Sequence, residues 1–105
     1  MIRRRVCILG LLALSACATH TLKTSADGLH LYLKAPAAER VEFAASTEGY
    51  APRPAKPLKH GRWEVVMPVG AGFSYYYLID GQAYAPPCTY REQDDFGGVN
   101  CIYQP

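Results

Sequence analysis

Three leucines set the period of this chain. Leu29, Leu31 and Leu33 alternate with His30, Tyr32 and Lys34, and Pro36 ends the run. An extended backbone sends successive side chains to opposite faces, so the pattern predicts a strand with one face buried and one wet. The same period returns in Val41, Phe43 and Ala45, in Trp63, Val65 and Met67, and in Phe73 to Ile79 with its three consecutive tyrosines. Pro68 and the Gly70-Ala71-Gly72 turn stop the third run. Asp80-Gly81 follows the fourth and predicts a tight hairpin, because both positions tolerate positive φ. Gln82 to Ala85 predicts a short fifth strand and Val99 to Tyr103 the last. Residues 46–61, with Pro52, Pro54, Pro57, Gly49 and Gly61, read as a long loop. No segment keeps a helical period long enough to make a helix. Short strands punctuated by glycine and proline predict an all-β fold, a two-sheet sandwich of about six to seven short antiparallel strands.

The N-terminus follows a different logic. Arg3, Arg4 and Arg5 precede an almost unbroken apolar stretch from Val6 to Leu14. At about 1.5 Å per residue this stretch is too short for a hydrocarbon core of roughly 30 Å, so it reads as the apolar region of a signal peptide. Leu14-Ser15-Ala16-Cys17 looks like the lipobox of bacterial lipoproteins, in which the cysteine is lipidated and becomes the mature N-terminus. The alternative is an ordinary signal cleaved near Ala16 or Ala18. Ala18 follows the cysteine where an aspartate would resemble an inner-membrane retention signal. The expected location is therefore the bacterial cell envelope, lipid-anchored at the outer membrane and facing the periplasm. Residues 1–16 are expected to be the removed signal, 17–27 the lipidated cysteine with a polar tether, and 28–105 the sandwich.

Removal of residues 1–16 leaves 89 residues, with eight basic against nine acidic side chains and a formal charge of −1. The basic character of the full chain belongs to the signal, and without a basic run nucleic acid is not expected as a partner. A domain this small has limited core burial and often needs a covalent staple. Cys88 and Cys101 are an even pair in an oxidising compartment, and a bridge between them would be worth roughly 3 kcal/mol. Two separate thiols or a metal site are the alternatives. None of His20, His30 and His60 stands at ligand spacing to either cysteine, which argues against a metal.

The order of these pieces resembles one family. Leu31-Tyr32-Leu33-Lys34-Ala35-Pro36 looks like an opening "F-x-L-W-A-P" element, and Arg40 to Tyr50 like a strand ending "G-D-F-N-x-W". Gly61-Arg62-Trp63-Glu64-Val65 looks like "G-x-W-x-V", Tyr75 to Gln82 like "Y-x-Y-x-F-x-V-D-G-x", and Asp94 to Asn100 like "D-x-F/Y-G-G-x-N". Over residues 28–105 the chain resembles the early-set, immunoglobulin-like carbohydrate-binding module of family 48. That family includes the glycogen-binding domain of the AMP-activated kinase β subunit and N-terminal domains of isoamylases and branching enzymes.

The resemblance implies α-glucan binding by aromatic platforms flanked by polar groups. A sugar ring has apolar C–H faces and a polar rim, which suits an aromatic face. Tyr50 matches the first platform tryptophan, and Tyr76 replaces an outward lysine. Ala83 stands where the second platform tryptophan belongs. Tyr84 is adjacent, but strand alternation sends it to the opposite face unless a bulge shifts the register. Phe96, Gly98 and Asn100 fall in the closing segment, where the family has an apolar residue that threads the glucan ring and polar contacts. Gly98 offers no side chain there.

Residue by residue, plainer roles compete. Tyr75 and Tyr77 share parity with Ile79 and are expected in the core, as is Trp63. Tyr50 reads equally as a platform or a loop aromatic. Asn100 is expected to cap the closing turn, and Asp94 and Asp95 to be solvated loop residues. Ser25, Ser46 and Ser74 lack a G-x-S-x-G elbow, so neither an enzyme nor a cofactor is expected. The expected function is a non-catalytic, membrane-anchored module that binds an α-glucan oligosaccharide or polysaccharide. The alternative is an early-set docking domain that has lost the sugar and holds a protein partner.

Overall fold

The computed structural model describes residues 20–95 and 97–105. The signal segment, Cys17 and Phe96 lie outside the described residues. Among the described residues ten strand segments follow one another: β1 (His20–Ser25), β2 (Gly28–Lys34), β3 (Val41–Ala45), β4 (Arg53–Pro54), β5 (Lys56–Pro57), β6 (Arg62–Met67), β7 (Phe73–Ile79), β8 (Gln82–Tyr84), β9 (Arg91–Gln93) and β10 (Val99–Tyr103). One sheet runs in the order β1-β2-β6-β5 and the other in the order β4-β3-β7-β10-β9, with β8 also paired to β7. Every pairing is antiparallel. The two sheets pack as an immunoglobulin-like β-sandwich, the predicted fold class.

The predicted alternation becomes the core. Leu29, Leu31, Leu33, Val65 and Met67 from one sheet meet Val41, Phe43, Ala45, Phe73, Tyr75, Tyr77 and Cys101 from the other. Each large apolar side chain taken from water here contributes on the order of 1.5–3 kcal/mol. Trp63 is only half-buried. It packs against the rim of this cluster and donates its indole N–H to the Ala35 carbonyl at 3.2 Å. The hairpin between β7 and β8 forms as predicted: Asp80 and Gly81 have φ of 50° and 84°. The Asp80 carboxylate also accepts the backbone N–H groups of Glu39 and Arg40 at 2.9 and 2.8 Å, tying this turn to the entry of β3.

Two expectations require correction. The tether expected over 17–27 contains β1, which pairs with β2 residue for residue from His20↔Leu33 to Ser25↔Gly28. As an edge strand it exposes both faces between His20 and Ser25 and leaves no alternating signature. The loop expected over 46–61 contains β4 and β5. Pro54 and Pro57 sit on edge strands, where a missing N–H costs no ladder bond. Between them Ala55 is buried and donates its N–H to the Val41 carbonyl at 2.9 Å, so this segment carries the chain from one sheet to the other.

His20 closes the open edge of the sandwich. Its ring lies 5.7 and 5.5 Å from those of Tyr75 and Tyr77, and its Nε2 is 3.1 Å from the Tyr77 hydroxyl. Burial lowers its pKa from 6.5 to about 4. The native chain thus refuses a proton that the unfolded chain accepts, so stability is full above pH 6.5 and declines as the pH falls toward 4. Allowing for partial exposure, this decline is about 2 kcal/mol. His20→Gln should remove it, as read from urea midpoints at a series of pH values. An unchanged acid limb in the variant would contradict this account.

Candidate functional site

The outer face of the β3-β7-β10-β9 sheet carries a row of residues that the hydrophobic pattern leaves unexplained. Tyr76 points outward from the middle of β7, opposite Ala44 of β3. On its other side the Cys101–Tyr75 pairing sets Asn100 beside it, and Asn100 pairs in turn with Glu92 of β9. Period-2 alternation makes this row, since the neighbours Tyr75 and Tyr77 are spent on the core.

Tyr50 joins from a different element. After β3 a short 3-10 turn (Ser46–Glu48) ends at Gly49, and the chain reverses through two left-handed residues, Gly49 at φ 63° and Tyr50 at φ 59°. A bulky residue with positive φ is uncommon and costs on the order of 1–2 kcal/mol. Local bonds hold it there: the Tyr50 N–H donates to the Ala45 carbonyl at 2.8 Å, and its hydroxyl is 2.7 Å from the Ser74 hydroxyl. Ser74 is braced in turn, its N–H donating to Ser46 Oγ at 3.0 Å. The result is a stacked pair of rings, Tyr50 and Tyr76, with centroids 5.9 Å apart and planes inclined by 23°.

The β9–β10 connection supplies the opposite wall. Asp94 Oδ1 accepts the Gly98 N–H at 2.8 Å, and the Gly98 carbonyl accepts the Asp94 N–H at 2.8 Å. A Cβ at position 98 would stand 2.7 Å from Asp94 Oδ2, so a larger residue there would push the carboxylate aside and loosen this brace. Asp94 is an exposed loop residue, as expected, and its carboxylate also clamps the turn. Asn100, expected to cap that turn, instead lies in β10, buried, with its Nδ2 donating to Glu92 Oε2 at 3.4 Å.

Together Tyr50, Tyr76, Glu92, Asp94, Asp95 and Asn100 line one recess of about 380 Å³. Of the residues singled out in the sequence, Tyr50, Tyr76 and Asn100 converge here. Tyr84 does not. It stands opposite Tyr77 in unbroken register and packs against the core, because no bulge shifts its face. Ala83 is on the outer face opposite Leu78, exposed and outside the recess. Glu92, Asp94 and Asp95 were missed as lining residues. The available signal was the Gly97-Gly98 turn, which, read as a hairpin, folds Glu92 back against Asn100.

A second polar cluster lies on the other sheet and is chemically closed. His30 offers Nε2 to Asp27 at 2.9 Å and Nδ1 to Glu64 at 2.8 Å. The bonds to Asp27 and then Glu64 raise its pKa. Hydrogen bonds from Ser25 and then His30 hold Asp27 down at about 2. With both ring nitrogens engaged on opposite sides, the imidazole has no lone pair for a base or for a metal. Among the described residues no group of histidine, cysteine and carboxylate side chains converges on a metal position. No protein-family model matches the chain, and no curated protein matches it significantly.

Proposed function

We propose that the protein is a non-catalytic α-glucan-binding module, held at the bacterial outer membrane by a lipidated Cys17 and facing the periplasm. The observation that supports this reading is the convergence of Tyr50, Tyr76 and Asn100 on one recess. Stacked rings offer an apolar surface for the C–H face of a glucose unit, and the surrounding carboxylates and carboxamide accept hydrogen bonds from its hydroxyl rim. The left-handed Tyr50 supports it further, since backbone strain held in place by local bonds tends to gather at functional positions. Phe96, which the family resemblance assigns to glucan threading, belongs to the same closing segment in the sequence. Replacing Tyr76 by alanine should weaken maltoheptaose binding about tenfold, the worth of one ring stacked on a sugar. Calorimetric titration of Tyr76→Ala and Tyr50→Ala checks this, with circular dichroism confirming the fold. Unchanged affinity in both variants would refute the assignment.

A docking domain without sugar affinity is the second reading. It is favoured by the placement of Tyr84 in the core and of Ala83 where a second platform is expected, which leaves a single aromatic pair. Recovery of a stoichiometric protein partner together with no response to maltodextrins would establish it.

A further inference from the structure

The recess has a one-sided chemistry. Besides the two tyrosines its lining is the carboxylates of Glu92, Asp94 and Asp95 and the carboxamide of Asn100, and among the described residues no lysine, arginine or histidine lines it. Asn100 is 5% exposed and donates an amide N–H to Glu92. Its carbonyl oxygen is a further acceptor on a residue that lines the recess. Acceptors therefore dominate this wall, and the facing wall is the stacked Tyr50–Tyr76 pair. A neutral sugar hydroxyl can donate one hydrogen bond to this wall, but it carries no charge for the carboxylates to attract. A protonated amine donates up to three hydrogen bonds, is attracted by carboxylates, and is drawn to the face of a tyrosine ring within about 6 Å.

Resting on the reading of this recess as a sugar site, we propose that its preferred ligand is a sugar carrying a free, protonated amino group, an unacetylated amino-hexose unit, over a neutral glucose unit. The aromatic pair takes the ring and the Glu92–Asp94–Asp95 wall takes the ammonium. Acetylation of the amine removes its charge and all but one of its donors, so the acetylated sugar should lose the advantage.

The test compares three trisaccharides on the full protein at neutral pH: fully deacetylated chitotriose, its N-acetylated form, and maltotriose. The expected result is that the free amine binds about tenfold tighter than either neutral sugar, that raising salt from 50 to 500 mM narrows the gap, and that Asp95→Asn narrows it further. Amide shifts should centre on Tyr76 and Asn100 for all three sugars. Equal affinity for maltotriose and the free amine at these residues would overturn the inference while leaving the sugar site intact. Tight binding of the amine that survives Tyr76→Ala would overturn it too, as charge attraction without a site. No shift with any of the three would overturn both the inference and the sugar reading on which it rests.

Discussion

Phe43→Ala should destabilise the domain by about 4 kcal/mol, enough to unfold much of the population of a protein this small. Phe43 is fully buried at the centre of β3. Its ring lies 5.4 Å from that of Tyr75 and 5.3 Å from that of Tyr77 in a tilted and an edge-on contact. Those two tyrosines alternate with Tyr76 on β7, and β7 pairs with β3, β8 and β10. Truncating Phe43 removes transfer energy and leaves a cavity between rigid rings that have no shorter route to collapse. Phe43→Leu should cost much less, about 1–1.5 kcal/mol, because most of the volume remains. Guanidinium unfolding of the two variants checks the contrast. A loss below about 1 kcal/mol for alanine would mean that the core is not organised around this ring.

Removing the disulfide ranks second. Cys88 and Cys101 are bridged, 13 residues apart in sequence, with Cα atoms 6.0 Å apart. Cys101 is fully buried on β10 beside Tyr75, whereas Cys88 lies in the connection between β8 and β9. That connection contains no paired strand; besides the bridge it is held by the buried Pro86 and by the Ile102 N–H donating to the Tyr90 carbonyl at 2.8 Å. Closing a loop of this size removes unfolded-state entropy worth about 3 kcal/mol, and the Cys88→Ser/Cys101→Ser double variant should lose about that much. The same loss should appear on reduction of the native protein. The β9–β10 hairpin carries Glu92 and Asn100, so sugar affinity should fall with the bridge even under conditions where the variant remains folded. A variant with unchanged melting and unchanged affinity would contradict both statements.

What the sequence reveals follows from which faces are buried. Phe73–Ile79 and Val99–Tyr103 are found as predicted; in the first, Phe73, Tyr75 and Tyr77 are buried against the opposite sheet and keep the period of two, whereas in the second Asn100 and Cys101 are buried together and no alternation is left. β1 is invisible to the same reasoning, since His20–Ser25 owes its extension to backbone pairing with β2 and its side chains record nothing. Arg53–Pro57 hides behind its prolines, which signal a loop in most contexts but are tolerated at a sheet edge. The site divides similarly. Tyr76 is legible from parity, and Tyr84 is excluded by the same parity once no bulge intervenes. The stacking of Tyr50 on Tyr76 depends on two successive left-handed residues, and local sequence specifies glycine there but not tyrosine. The acidic wall depends on how β9 registers against β10, a pairing with too few residues to leave a periodic trace.

The most direct measurement is a titration of the ¹⁵N-labelled protein with maltoheptaose, followed by amide chemical shifts. The account predicts saturable shifts confined to Tyr50, Tyr76, Asn100 and the Asp94–Gly98 turn, with the β1–β2 hairpin silent. Shifts absent at millimolar sugar, or scattered over the opposite sheet, would contradict it.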